Sequence, residues 1–96
     1  MFGMKTTTLS FPNRSRSFDA VKERVRFWAY DGAIEISFFL EKDALLKLSP
    51  GMSATEAACL KVFDDALKQI QAVANRVYAS GPKGSYTCTL SAENFV

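Results

Sequence analysis

The chain has 96 residues, a net charge of +2, 48% hydrophobic and 23% charged residues, and no histidine. This length accommodates one domain, and the composition is typical of a globular protein and not of a disordered one. The absence of histidine excludes serine–histidine and cysteine–histidine nucleophiles and the usual zinc and non-haem iron sites. We therefore predict no catalytic residues, no metal ligands and no cofactor.

Residues 1–30 contain six basic and two acidic residues, so the net charge is +4 there and −2 in the remainder of the chain. This asymmetry is a mild indication of a basic patch. No apolar run approaches the ~20 residues of a membrane-spanning helix, and residues 1–8 lack the order of a secretory signal and are interpreted as a loose N-terminus. We accordingly expect a cytoplasmic protein with no membrane partner, in which Cys59 and Cys88 are reduced thiols.

In chain order, residues 17–20 predict a short strand that turns at 21–23. Next, Asp31-Gly32 lies between two runs rich in β-branched and aromatic residues, which predicts a hairpin with a two-residue type I′ turn. Such a turn places Trp28 opposite Glu35. The face predicted to point to the core comprises Val25, Phe27, Ala29, Ile34, Ile36 and Phe38. The other face holds Arg24, Arg26, Trp28, Tyr30, Glu35, Ser37 and Phe39.

Two helices follow the hairpin. A short one over about 42–48 ends at Ser49-Pro50-Gly51, because proline disfavours helix at the preceding residue. A long one begins at the capping box Ser53-Ala54-Thr55-Glu56 and ends at Gly81, which is expected to be left-handed. The apolar arc of the long helix is expected to face the core and contains Cys59, Leu60, Phe63, Ala66, Leu67, Ile70, Val73, Ala74, Val77 and Tyr78.

A final strand is predicted over 85–90, with Tyr86, Cys88 and Leu90 on its inward side and Phe95 as an anchor after it. The predicted order is β-β-β-α-α-β in one α+β domain over residues 1–96. We expect a mainly antiparallel sheet with the short and the long helix packed on one face. The position of the last strand in the sheet stays open.

Several short patterns resemble a known family. They are Leu9-Ser10-Phe11-Pro12-Asn13-Arg14-Ser15-Arg16-Ser17-Phe18-Asp19, then Val25-Arg26-Phe27-Trp28, Asp43-Ala44-Leu45, the helix from Phe63 to Tyr78, and Gly84-Ser85-Tyr86. Together they resemble the bacterial domain of unknown function 1488 family over nearly the whole chain. The resemblance implies a bacterial cytoplasmic α+β domain without an assigned activity, and it implies no functional residues.

The hypothetical binding residues all lie on the outer face of the hairpin: Arg24, Arg26, Trp28, Tyr30 and Phe39. Uncovered, this face would leave three aromatic side chains in water, which usually marks an interaction site. Three alternatives stay open. The N-terminal segment, through Phe11 or Phe18, covers the face; two copies bury it in a homodimer; or it stacks the bases of a single-stranded nucleic acid, flanked by Arg14, Arg16, Arg24 and Arg26.

Other patterns are interpreted as structural. Residues 81–85 follow a helix and precede a strand, the reverse of a phosphate-binding loop. Asp64 and Asp65 are typical of the solvated side of a helix, and the two cysteines are expected to behave as small hydrophobic residues. The leading hypothesis is a non-enzymatic module for self-association or protein interaction through the aromatic–arginine face. The alternative is single-stranded nucleic-acid binding by the same face.

Overall fold

The computed structural model describes residues 9–12, 16–81 and 86–95. Four strands form one sheet in the spatial order β1 (Arg16–Asp19), β2 (Arg24–Asp31), β3 (Ile34–Leu40) and β4 (Thr87–Leu90). Between β3 and β4 lie three helices, α1 (Lys42–Leu48), α2 (Glu56–Asp65) and α3 (Leu67–Ser80), and a 3-10 turn, Ala92–Phe95, follows β4. The element order is therefore β-β-β-α-α-α-β. None of the helices in these ranges combines the length and apolarity needed to cross a membrane.

The hairpin between β2 and β3 forms, but its predicted pairing is wrong by two residues. Asp31 pairs with Ile34, so the turn consists of Gly32-Ala33, and Trp28 lies opposite Ser37. Gly32 has a φ of +63°, as the first central residue of a type II′ turn requires. The Asp31-Gly32 pair fits a type I′ turn equally well by composition, and only the three-dimensional structure distinguishes the two.

A shift of two residues leaves every side chain on its predicted face, because the side-chain period of a strand is two. The inward residues are accordingly buried: Val25, Phe27, Ala29, Ile36, Phe38 and also Leu40. Ile34 is the exception. It adjoins the turn and is 47% exposed, so its predicted core position is wrong.

The sheet is mixed and not purely antiparallel. β1, β2 and β3 pair antiparallel, whereas β4 pairs parallel to β3, with Phe38 opposite Cys88. The parallel direction is possible because the three helices provide a long crossover connection. Tyr86 precedes β4 and is 59% exposed, so its predicted inward position is wrong, whereas Leu90 is buried.

The predicted long helix is interrupted at Ala66, where φ is −106° and ψ is 20°, and this residue separates α2 from α3. The N-cap is Thr55, whose side chain accepts a hydrogen bond from the Ala58 amide, so Ser53 does not cap the helix. Gly81 has an extended conformation with a φ of −86° and is not left-handed. The short helix α1 has the predicted bounds.

One hydrophobic cluster joins the inner face of the sheet to the helices. It includes buried residues from α1, α2 and α3, which places all three helices on the same side of the sheet. At its centre the Phe27 ring lies 5.1 Å from that of Phe38 and 5.2 Å from that of Phe63, measured between centroids. Phe95 is buried in the same cluster, which confirms its role as an anchor.

Candidate protein-interaction face

The side of the sheet opposite the helices carries the five hypothetical binding residues Arg24, Arg26, Trp28, Tyr30 and Phe39. We call it the outer face, and on β2 and β3 it consists of Arg24, Arg26, Trp28, Tyr30, Glu35, Ser37 and Phe39. The β2–β3 register places Arg26 opposite Phe39, Trp28 opposite Ser37, and Tyr30 opposite Glu35. β1 adds Ser17 and Asp19, and β4 adds Thr87 and Thr89, beside these rows.

The aromatic rings of the outer face are not bare, because two arginines of the same face lie over them. The guanidinium carbon of Arg24 lies 4.0 Å from the ring centroid of Phe39. That of Arg26 lies 4.6 Å from Trp28 and 6.0 Å from Phe39. Trp28 and Phe39 are consequently half-buried, and Tyr30 is half-buried as well. The helices of the described residues pack on the other side of the sheet. Stacking of this kind fixes a guanidinium plane without neutralising its charge.

Arg24 is neutralised within the chain. It donates one hydrogen bond to Asp19 (3.1 Å) and another to Glu41 (2.9 Å). Burial acts to lower the pKa of Arg24, but the bonds to Glu41 and Asp19 outweigh it, so the pKa is raised above its usual value. The pKa of Asp19 is lowered, first by the hydrogen bond from the Lys22 amide and also by Arg24. This corner of the outer face is therefore an internally satisfied ion-pair cluster.

Arg26 differs, because no carboxylate of the described residues forms an ion pair with it. Its terminal nitrogen Nη2 donates to the Ser37 hydroxyl at 3.0 Å. Its Nε is buried without an acceptor, the one buried side-chain polar atom of the described residues in that state. The centre of the outer face thus holds an uncompensated positive charge, stacked between Trp28 and Phe39.

Glu35 provides the opposite charge at the other end of β3. It lies on the outer face beside Tyr30, is exposed, and forms no ion pair within the described ranges. Same-face residues of a strand are ~6.7 Å apart, so Glu35 lies two rows, or ~13 Å, from the row of Arg26. The row between them contains Trp28 and Ser37. A single face therefore presents an unpaired cation and an unpaired anion on either side of its tryptophan.

Sequence comparison assigns the chain to a family. The family model described as "Protein of unknown function (DUF1488)" matches residues 9–90 of the 96. The chain belongs to this family. The resemblance drawn from the short patterns is thereby confirmed. No curated protein and no solved structure matches the chain.

Two aromatic residues of the N-terminal third of this DUF1488 member, Phe11 and Phe18, do not cover the outer face. Phe11 and Phe18 both pack against the core cluster on the helix side. Ser10 exchanges two backbone hydrogen bonds of 2.8 Å with Tyr30, which places Ser10 beside β2 at the edge of the sheet. The expectation that Phe11 or Phe18 shields Trp28 is therefore wrong. Residues 1–8 lie outside the described ranges.

The arginines that would contact nucleic acid are not gathered on one face of the DUF1488 chain. Arg16 lies on the helix side, opposite Phe27, and donates two hydrogen bonds to Asp64 at 2.8 and 2.9 Å. Arg24 is paired with two carboxylates, and Arg14 lies outside the described residues. Among Arg16, Arg24 and Arg26, Arg26 alone offers the outer face an unneutralised charge. The nucleic-acid alternative stays a prediction, with one cation to support it.

The other candidates for chemistry are placed in structural roles. Asp64 pairs with Arg16, and Asp65 pairs with Lys61 one helical turn away at 2.8 Å. Cys59 and Cys88 are free thiols, and burial raises the pKa of each. No group of three or more acidic or cysteine side chains is placed to hold a metal ion in the described residues. Of the residues 81–85, only Gly81 is within the described ranges.

Sequence reasoning missed two features of the DUF1488 chain. The Tyr78 hydroxyl of α3 donates to Asp31 at the end of β2 at 2.7 Å, which raises the pKa of Tyr78 to about 12. The two residues are 47 positions apart, and no spacing pattern signals such a contact. The second feature is a surface depression at the α2–α3 junction, and it is lined by Asp64, Asp65, Ala66, Leu67, Lys68 and Gln69. Its charged lining contrasts with the mainly apolar walls of small-molecule sites.

Proposed function

We propose that this chain is a non-enzymatic module that works by association with protein through its outer face, and that the primary partner is a second copy. The observation that carries the proposal is the unneutralised Arg26, stacked between Trp28 and Phe39 on the side of the sheet away from the helices. Arginine and aromatic residues at the centre of a patch are typical of interface hot spots.

The composition around this centre supports a protein partner. Serine and threonine side chains of β1, β3 and β4 flank the aromatic residues, and the arrangement of an aromatic centre with a polar rim is that of a protein–protein interface. The charges of the outer face also argue for protein over nucleic acid. Two basic residues, Arg24 and Arg26, are outnumbered by three acidic ones: Asp19 and Glu35 lie on the outer face, and Glu41 accepts a hydrogen bond from Arg24. Phosphate backbones favour a surplus of basic residues.

The absence of catalysis and a cytoplasmic location are parts of the same proposal. Both aspartates that resemble acid–base groups are held in ion pairs, and both thiols have raised pKa values, unlike reactive thiolates. Two unpaired cysteines support a reducing compartment. The bacterial origin implied by the family resemblance stays a prediction.

The test measures the mass of the protein by light scattering and the quenching of Trp28 fluorescence by acrylamide, over a dilution series from millimolar to nanomolar protein. We expect a dimer that dissociates on dilution, with Trp28 becoming more quenchable as it does. Trp28→Ala is expected to weaken the dimer by about 2 kcal/mol, or ~30-fold, as for a hot-spot residue.

The matched control is Tyr86→Ala, which removes a 59% exposed aromatic side chain from outside the outer face. We expect it to leave the dissociation constant within about twofold. A monomer at every concentration contradicts self-association. If that monomer also binds single-stranded oligonucleotides at low salt, with an affinity that falls steeply as salt is added, the nucleic-acid alternative replaces the proposal.

A further inference from the structure

The outer face has a charge pattern that matches its own copy turned by 180°. Along the strands, the row of Arg26 and Phe39 is followed by the row of Trp28 and Ser37, and then by the row of Tyr30 and Glu35. The unpaired cation and the unpaired anion are thus one row before and one row after Trp28. A two-fold axis through the middle row exchanges the two outer rows.

We propose that two copies pack outer face to outer face around a two-fold axis that lies across the strands at the Trp28–Ser37 row. This inference rests on the proposed self-association and adds its geometry. The axis places each Arg26 within reach of Glu35 of the partner subunit, and it does so twice in the dimer. An interface of this kind is isologous, so the same surface serves both subunits.

The arrangement resolves two features that the single chain leaves unsatisfied. Arg26 lacks a carboxylate, and Glu35 lacks a cation, within the described residues. Burial of one charge without the other would be unfavourable, whereas a paired and hydrogen-bonded charge is tolerated in an interface. The same axis brings Phe39 of one subunit towards the partner's Tyr30, and the two tryptophans meet at the centre, so aromatic surface is covered together with the charges.

The dimer would have four layers, with the two sheets inside and the helices outside. Face-to-face sheets pack ~10 Å apart with strands about 30° from parallel or antiparallel. The small residues Ser17 and Ser37 leave room for the partner's aromatic side chains beside them. Arg24, already held by Asp19 and Glu41, would lie at the rim and keep its internal ion pairs.

The principal test is a charge exchange between two variants. Glu35→Arg places Arg26 against an arginine of the second copy, and Arg26→Glu places Glu35 against a glutamate. Each like-charge contact occurs twice in the dimer, so we expect each variant alone to have a dissociation constant raised by about a hundredfold. An equimolar mixture restores opposite charges at both contacts, and we expect it to form a one-to-one heterodimer of near wild-type affinity.

The matched control for charge is Glu93→Arg, which reverses an exposed carboxylate in the 3-10 turn, away from the outer face. We expect its dimer dissociation constant to stay within twofold of the wild-type value. Arg26→Glu removes a stacked guanidinium and is the variant at risk of misfolding, so its circular dichroism is compared with that of the wild type. Glu35 is exposed and has no ion pair in the described residues, so Glu35→Arg tests the contact even if the mixture cannot be made.

A cysteine crosslink tests the axis independently of charge. Ser37 lies on the axis row, so Ser37→Cys faces its own copy across the interface. Because sheets ~10 Å apart hold the two α-carbons beyond the reach of a disulfide, the crosslinker is a short bismaleimide, which we expect to join the two thiols. Ser17→Cys lies one row away from the axis, so its two copies are a further two rows, or ~13 Å, apart along the strands, and we expect the same reagent not to join them. Wild-type protein, with Cys59 and Cys88, provides the background.

The outcomes separate the two proposals. Suppose that the wild type is a dimer, that Glu35→Arg does not change its dissociation constant, and that the Ser37→Cys variant is not crosslinked. This axis is then overturned, while self-association stands. A wild-type protein that is monomeric up to millimolar concentration overturns both. Loss of dimerisation in each single variant, recovery in the mixture, and a crosslink at position 37 but not 17 support the axis.

Discussion

Removal of one hydroxyl, by Tyr78→Phe, tests the contact between α3 and the end of β2. The hydroxyl donates to a carboxylate oxygen of Asp31 at 2.7 Å, and the contact raises the pKa of Tyr78 to about 12. A rise in this pKa from an ordinary value near 10 corresponds to a stabilisation of at most about 2.7 kcal/mol, at 1.36 kcal/mol per pKa unit. Because Tyr78 is half-buried, solvent screens the contact, and we expect Tyr78→Phe to lower the free energy of unfolding by about 1–1.5 kcal/mol.

The pH dependence follows from the direction of the shift. The folded-state pKa is raised, so the stabilisation is complete below the unfolded pKa near 10 and is lost as pH rises through about 12. We therefore expect urea unfolding at pH 7 to show the full difference between wild type and Tyr78→Phe. That difference is expected to shrink above pH 10, and the wild-type-minus-variant absorbance at 295 nm is expected to titrate near 12.

The matched control is Tyr86→Phe, which removes a hydroxyl from a 59% exposed ring. Its effect on the free energy of unfolding is expected to stay within about 0.5 kcal/mol, as for most surface substitutions. The reasoning is refuted if Tyr78→Phe costs no more than Tyr86→Phe at pH 7. A difference that stays constant up to pH 12 refutes a stabilisation that depends on the protonated Tyr78 hydroxyl.

Three further predictions concern the rest of the fold. Phe63→Ala removes a fully buried ring that contacts Phe27, and we expect urea unfolding to show a loss of about 3–5 kcal/mol; a loss below 1 kcal/mol would contradict the core described above. Gly32→Ala forces a side chain into a φ of +63°, and we expect a loss of about 1 kcal/mol in the same assay. Asp19→Asn is expected to make the free energy of unfolding less sensitive to acid. Because the folded-state pKa of Asp19 is lowered, its carboxylate stabilises the fold above the unfolded pKa near 3.8, and this stabilisation is lost as pH falls through the lower folded pKa. An acid-unfolding curve identical to that of the wild type would argue against that role.

The faces of the hairpin were predictable from sequence, whereas its register was not. Alternation of side chains decides which residues share a face, and it is unchanged when the pairing shifts by two residues. The choice between Asp31-Gly32 and Gly32-Ala33 as the turn depends on backbone twist, and glycine permits both. The five hypothetical binding residues therefore share one face of the hairpin, as predicted, but each has a different residue opposite it from the predicted one.

Breaks in helices and contacts between distant residues were harder to predict from the sequence. Ala66 is a strong helix former, so no local signal marks the interruption between α2 and α3. Likewise, no spacing in the sequence indicates that Arg26 lacks an acceptor for its Nε while Arg24 has two carboxylates. That difference depends on side-chain conformations and on which strands are adjacent, and both are properties of the assembled sheet.

The parallel pairing of β4 with β3 also determines the order in which the chain can fold. β1, β2 and β3 are consecutive and can associate as soon as about residue 40 has left the ribosome. Pairing of Phe38 with Cys88 requires about fifty further residues to be synthesised. During that interval β3 has an unpaired edge, and its Ser37–Leu40 segment is uncharged and largely apolar. Strand edges of that composition are prone to pair with other chains. We therefore expect β3 to be most prone to pair with other chains in the interval between its own synthesis and that of β4.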